Sequence, residues 1–212
     1  MKKSMLKNGL LLGLFALLCT GLVAIVNQFT YDKIRQQEQQ ELARVLHQII
    51  PDDIHDNELT GHCIGLTSAE FLGTEDTLPA YIATMNGKGV AIAVEAIAPD
   101  GYNGNIKVII GISHEGEVLG VRTLSHQETP GLGDKIELRK SDWVKSFDGL
   151  LLLSDEDKRW NVKKDGGEID QFTGATITPR AYVKAVKKAV QYFNANKATL
   201  LSAPANCEVG NE

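Results

Sequence analysis

The chain of 212 residues carries a formal net charge of −5, with 43% hydrophobic and 23% charged residues. This balance excludes an intrinsically disordered chain, and the acidic excess argues against nucleic acid as its main partner. The length accommodates one domain, or one domain with an anchor.

The charge is unevenly spread. Setting aside Lys2, Lys3 and Lys7 leaves 19 basic residues against 27 acidic ones, so an acidic, solvated body follows a basic N-terminus. Residues 9–26 contain no charge. As a helix they span roughly 27 Å at about 1.5 Å per residue, enough to cross a hydrocarbon core. The preceding lysines predict that residues 1–8 are cytoplasmic and that the chain after the span lies outside the inner membrane. A cleaved signal peptide has a shorter apolar core and ends in small residues. Leu17 and Leu18 before Cys19 also disfavour a lipoprotein cut.

Residues 27–50 read as a helical stem. Ile34, Leu42, Val45, Leu46 and Ile49 form its partial apolar stripe, and Pro51 ends it. A single domain is expected over residues 51–212. Within it, Val90–Ala98, Ile106–Ser113 and Val118–Leu124 are rich in β-branched residues and separated by turn signals. They predict an antiparallel meander. Trp143 and Trp160 are candidate core anchors in a mixed stretch. From Pro179 to Asn194, Tyr182, Val183, Val186, Ala189, Val190 and Phe193 share one helical face, with Lys184, Lys187 and Lys188 toward water. Strands followed by a packed helix give an α+β class: one N-terminal transmembrane helix, then an antiparallel sheet with helices against it.

Several chemistries are missing. There is no Cys-x-x-Cys for iron–sulfur or haem attachment, no phosphate-binding P-loop and no dinucleotide fingerprint. His47, His55, His62, His114 and His126 are scattered without a His-Glu-x-x-His pattern, and no metal site is expected. A self-contained hydrolase or dehydrogenase is therefore disfavoured.

The informative stretch runs from Asp170 to Arg180: Asp-Gln-Phe-Thr-Gly-Ala-Thr-Ile-Thr-Pro-Arg. It reads as a small-residue loop feeding a helix, with Thr178 as N-cap and Pro179 in the first helical position. Free backbone N–H groups at such a start attract anions. Arg180 in the first turn opposes the helix dipole by about 0.3–1 kcal/mol, a cost that a nearby anion offsets. On these grounds alone, a capped helix with an exposed arginine is the favoured account of the stretch. Glu128-Thr129-Pro130-Gly131-Leu132-Gly133 is a second candidate. Its Pro-Gly turn and glycines allow backbone to approach a flat ring, with Leu132 over one face and Thr129 at an edge, although a plain turn reads the same way.

Asp170-x-x-Thr173-Gly174-Ala175-Thr176 resembles the flavinylation motif of FMN-binding domains, in which the last threonine is esterified to the FMN phosphate. The anchor, the helix after it, Gly101-Tyr102-Asn103-Gly104 and the 126–133 segment extend the likeness over nearly the whole chain. It is similar to the G-subunit family of Rnf (Rsx) electron transport complexes and, more distantly, to the C subunit of sodium-translocating NADH:quinone reductase. The resemblance implies a covalent FMN on Thr176, with Thr173, Gly174, Ala175, Thr178, Arg180, Glu128, Thr129, Leu132 and Gly133 around it. Asp170 would be read by a flavin transferase that uses FAD. The protein would relay electrons within a membrane complex that couples electron flow to ion movement, without independent catalytic turnover. Its partners would be the other subunits, the transferase and the inner membrane. An anchored binding or assembly module without cofactor is the alternative from another class.

Cys63 and Cys207 both fall in the outer domain, where an oxidising compartment favours a bridge between them. So long a loop contributes about 4–5 kcal/mol in the chain-entropy model. Two free thiols are the other possibility.

Overall fold

The computed structural model describes residues 2–207. Met1 and residues 208–212, the outer ends of the N-terminal segment and of the 51–212 domain, lie outside the described residues. The chain divides into two units, residues 1–42 and 43–212.

Most of the first unit is helix α1 (Lys2–Ile49), whose last turns belong to the second unit. Its Lys2–Tyr31 portion is long and apolar enough to cross a membrane, and Leu10, Leu14, Phe15, Leu18 and Leu22 are all exposed along it. Both threonine hydroxyls in this stretch are satisfied within the helix. Thr20 Oγ1 donates to the Ala16 carbonyl at 2.8 Å and Thr30 Oγ1 to that of Val26 at 2.9 Å. An apolar surrounding demands such internal satisfaction of polar groups. Beyond it, the Gln- and Glu-rich run from Gln36 to Glu41 supplies good helix formers.

The second unit is built on a five-stranded antiparallel sheet in sequential order: β1 (Cys63–Ser68), β2 (Thr74–Met85), β3 (Lys88–Ala98), β4 (Ile106–Ser113) and β5 (Val118–Ser125). A four-residue helix, α2 (Ala69–Leu72), joins β1 to β2, and α3 (Ile177–Leu201) follows a long stretch of 3₁₀ turns. The two strands that β-branched content did not single out are β1 and β2. Pro79 and the polar start Thr74-Glu75-Asp76 mask β2, but pairing with β3 begins only after the proline, at Ala80↔Val94. Asn86 (φ 51°) and Gly87 (φ 73°) make the tight turn between β2 and β3.

Side chains alternate across each strand. One face, with Ile82, Ile92, Val94, Val108 and Ile110, packs with Val186, Val190 and Phe193 of α3, and with Trp160 and Phe147, in a common core. The other face carries Tyr81, Ala93, Glu95 and Ile109. Residues 43–50, read from sequence as the end of a stem, cover part of it: Val45, Leu46, Ile49 and Ile50 are buried. Gly111 and Gly120 are direct cross-strand partners, and both face Ile49. A Cβ on Gly111 would come within 2.6 Å of the Ile49 carbonyl oxygen, and one on Gly120 within 3.2 Å of its Cα. The glycine pair is thus a slot cut for the helix end. On this face Glu95, 3% exposed, pairs with Lys107 Nζ at 2.6 Å. Burial pushes its carboxyl above the usual range, and Lys107 works in the opposite direction.

Cys63 and Cys207 are joined by a disulfide, with Cα atoms 5.4 Å apart. The tail also pairs with the outer edge of β1. Asn206 N–H donates to the Cys63 carbonyl at 2.9 Å, and Asn206 Oδ1 accepts from Gly65 N–H at 2.8 Å. An otherwise open sheet edge is closed.

Two outcomes are expected. Gly111→Val forces the helix end off the sheet, and chemical denaturation of the full chain in detergent should show a loss of about 1–3 kcal/mol. The second concerns Asp157, which accepts from the Leu153 and Arg159 N–H groups and from the Arg159 guanidinium. The Arg159 side-chain bond, ahead of the backbone donors, lowers its pKa to about 2. The stabilisation is complete above the ordinary value of 3.8 and is lost as pH falls through about 2. The stability gap between the unaltered chain and Asp157→Asn, measured by denaturation midpoint against pH, should therefore narrow steadily below about pH 4.

Candidate functional site

Because neighbouring strands run antiparallel, the β3–β4 loop and the exit of β5 lie at the same end of the sheet. The loop leading into α3 joins them there. Together they wall an open cleft of about 290 Å³.

The cleft depends on Glu128, which is only 4% exposed. Its Oε2 accepts from the Thr178 hydroxyl of α3 at 2.5 Å, and its Oε1 accepts from Asn103 N–H of the β3–β4 loop at 3.2 Å. One carboxylate thus ties three segments together. Little room is left for side chains nearby: a Cβ on Gly133 would meet Oε2 at 2.7 Å, and one on Gly101 would meet the Gly104 carbonyl oxygen at 2.1 Å and Oε1 at 2.9 Å. His126 Nδ1 accepts from Glu128 N–H at 3.0 Å, so its Nε2 carries the proton and donates to Glu137 at 2.9 Å. Arg139 above all, with His126, holds Glu137 below the usual carboxylate range.

The 126–133 segment then turns tightly. The Thr129 carbonyl accepts from Leu132 and Gly133 N–H, each at 3.1 Å, across Gly131 at φ 78°. This turn presents Leu132, 41% exposed, to the cleft. Opposite, Phe172 to Ala175 form a turn closed by Ala175 N–H to the Phe172 carbonyl at 3.2 Å, with Gly174 at φ 84°. The loop before it is pinned by Trp143, whose Nε1–H donates to the Asp170 carbonyl at 2.6 Å and whose ring meets Phe172 edge-on at 4.9 Å. The Asp170 carboxylate itself pairs with Lys163 at 2.7 Å on the surface.

Of the residues singled out from sequence, Glu128, Thr129, Leu132, Gly133, Gly174, Ala175, Thr176 and Thr178 line the cleft. Two do not. Thr173 takes the exposed corner of its turn. Arg180 points elsewhere and makes a two-pronged pair with Asp165, both bonds at 2.6 Å, which holds Asp165 below its ordinary range. Residues two apart on a helix face different ways. With Thr178 turned into Glu128, Arg180 is turned out, and its guanidinium is engaged by Asp165 outside the cleft lining.

The helix boundary also differs from expectation. α3 starts at Ile177 and ends at Leu201, so Thr176, not Thr178, occupies the N-cap position, and Pro179 sits inside the first turn, where its missing N–H leaves no helix bond unmade. The Thr176 side chain makes no capping bond. Its hydroxyl therefore remains available, next to the first-turn N–H groups of Ile177 and Thr178, which have no carbonyl partner within the helix. Sequence reasoning passed over Ile177, and it offered Tyr102 as a ring-stacking residue only behind the plainer account of a hairpin-turn tyrosine. They are 47% and 64% exposed, and with Leu132 they form an apolar rim. An apolar β-branched residue directly after the motif threonine was the available signal.

A family description, the RnfG N-terminal region, matches residues 1–49, and a second, the FMN-binding domain, matches residues 101–191. The second match contains all three cleft segments. Over all 212 residues the chain is 78% identical to the G subunit of the ion-translocating oxidoreductase complex of Shewanella piezotolerans, covering both chains completely. Its identity to the protein of the same name from Shewanella oneidensis is 70%, over 98% of each chain. That from Vibrio atlanticus is 61% identical over 95% of this chain and 96% of its own. The chain belongs to the G-subunit family of the ion-translocating oxidoreductase complex and carries that family's FMN-binding domain.

Proposed function

We propose that this chain is a membrane-anchored electron carrier that holds one FMN in the Tyr102–Glu128–Thr176 cleft, by a phosphate ester on Thr176 Oγ. The observation that carries this reading is Thr176 itself: a threonine on the cleft wall, at a helix start, whose hydroxyl is not used as a cap. Its neighbours suit the group. First-turn N–H groups and the helix dipole favour a phosphate. Gly174 keeps the approach open, and Tyr102, Leu132 and Ile177 offer apolar surface to a flat ring. FMN supplies one- and two-electron redox chemistry when bound. The protein's part is to hold the ring against loss, to cover part of it, and to leave the remainder facing outward for exchange with another centre.

The ester forms when Thr176 Oγ replaces AMP on the FMN phosphate of FAD, a step assigned to a flavin transferase. The exposed Asp170 carboxylate is the feature such an enzyme would read. Glu128 acts through position: it holds the three walls together. The relatives' name, which makes them the G subunit of an ion-translocating oxidoreductase complex, supports a role beside other subunits in electron flow coupled to ion movement. The same name favours the G subunit over the quinone-reductase C subunit. Lys2, Lys3 and Lys7 before the apolar helix support a cytoplasmic N-terminus and a periplasmic domain. Under this reading residues 1–8 are cytoplasmic, 9–26 span the inner membrane, 27–50 begin outside it as a helical stem, and 51–212 form the flavin domain.

Mass spectrometry of the peptide from Asp170 to Arg180, from chain produced with an active flavin transferase, is expected to place one FMN phosphoryl group on Thr176. Thr176→Ala should lose it, and Arg180→Ala should keep it, since Arg180 is engaged by Asp165. An adduct on Thr173 or Thr178 instead would overturn the assignment. Topology is tested separately: a periplasm-active reporter fused after Glu212 should be active, and an active cytoplasmic reporter there would reverse the orientation.

A further inference from the structure

The turn that follows α1 brings together three side chains that the flavin cleft does not use. One nitrogen from each ring of His47 and His55 and one carboxylate oxygen of Asp52 lie within 4.8 Å of one another, the one such cluster among the described residues. His47 Nδ1 is 2.5 Å from Asp52 Oδ1, and His55 Nε2 is 3.8 Å from the same oxygen.

The His55 side chain is 6% exposed, and its Nε2 has no hydrogen-bond partner. Its other nitrogen fixes the tautomer. Nδ1 lies 3.0 Å from the Asn57 carbonyl, which can only accept, so Nδ1 carries the proton. In the neutral ring, Nε2 then presents a lone pair, buried and turned toward a carboxylate oxygen. Two acceptors facing each other call for a cation between them.

We propose that His47, Asp52 and His55 form a binding site for a divalent first-row transition metal ion, with zinc as the representative. Two imidazoles and one carboxylate are a donor set that such ions accept, and three protein ligands leave a fourth position for water or a partner's side chain. The His55 Nδ1–H bond to a backbone carbonyl is the outer contact that orients a metal-binding histidine. Its anchor is firm: Asn57 Oδ1 accepts from Thr84 N–H at 2.7 Å, and Asn57 Nδ2 donates to the Ile82 carbonyl at 3.0 Å. His47 and Asp52, with side chains 43% and 76% exposed, leave the ion an entry from solvent. The sequence shows no zinc pattern because the ligands come from a helix end and the turn after it, with spacings of five and three residues. A bound ion would fasten the last turn of α1 to the end of β2. This inference is independent of the flavin reading.

The test uses the full chain in detergent, without a polyhistidine tag. Titration with Co²⁺ should give the visible spectrum of a four-coordinate ion at one per chain, displaced by Zn²⁺. Competition against a chromophoric chelator gives the zinc affinity. His47→Ala and His55→Asn are each expected to lower it at least about 100-fold, the upper end of what loss of an outer partner alone costs. His55→Asn retains a donor for the Asn57 carbonyl, and exposed His47 provides the variant least able to disturb folding. Affinity unchanged in both variants, or no cobalt spectrum from the unaltered chain, overturns the proposal. So does a nitrogen NMR signal showing His55 doubly protonated at neutral pH and indifferent to added zinc, which would make the cation a proton.

Discussion

The geometry of the candidate site depends on one buried carboxylate. The β3–β4 loop and the exit of β5 leave the same end of the sheet, and the loop into α3 meets them there. Asn103 Nδ2 donates to the Gln127 carbonyl at 2.9 Å and joins the first two, and Glu128 joins all three by accepting from a hydroxyl in α3 and an amide in the β3–β4 loop. Removing the carboxylate leaves the buried Thr178 hydroxyl unsatisfied, at about 1–3 kcal/mol. Gly133 is explained by the same constraint, since Glu128 Oε2 and the Thr178 hydroxyl occupy the space a side chain would need, whereas Gly101 is required first by the Gly104 carbonyl oxygen. The cleft is therefore a consequence of polar satisfaction as much as of apolar packing.

Beneath this, the sheet is covered on two faces by different means. α3 supplies a broad apolar stripe, read from its 3.6-residue period. The opposite face receives the end of a helix whose first half has another task. Ile49 fits only because Gly111 and Gly120 stand opposite each other across β4 and β5. Buried on that face, Glu95 with Lys107 and Tyr81 forms a polar patch, in which burial first and the Glu95 charge second push the Tyr81 hydroxyl pKa upward. This second layer owes nothing to α3 or to the flavin loops, and is set by how closely two backbones can approach.

How much of this was legible in the sequence follows from what each element depends on. β4, and the bodies of β3, β5 and α3, announced themselves because their burial is periodic and their residues are β-branched or regularly spaced. β1 and β2 did not, since Pro79 and a polar start hide β2, although Asn86-Gly87 marked a hairpin that required a strand before it. At the site, the Thr-Gly-Ala-Thr loop and the Glu128–Gly133 turn were legible as motifs and do meet. The misreadings were orientational. Helix phase decides that Thr178 faces inward and Arg180 outward, and moving the assumed helix start from Thr178 back to Thr176 was enough to change the cap. His47, Asp52 and His55 share no recognisable spacing, and only the fold of the 51–57 turn sets them together.

The tail's place beside β1 bears on the order in which the chain can be completed. Everything from β1 to α3 is synthesised before Asn206 exists, yet Asn206 is what occupies the amide and carbonyl groups on the outer edge of β1. Until Asn206 has emerged and docked, that part of the edge is an open template for any passing strand. The Asn206–Cys207 segment is thus a latch on that edge, and the lone thiol of Cys63 must wait 144 residues for its partner. A chain that stalls late in synthesis would hold nearly every cleft residue and still present the part of its sheet most prone to pairing with the wrong neighbour.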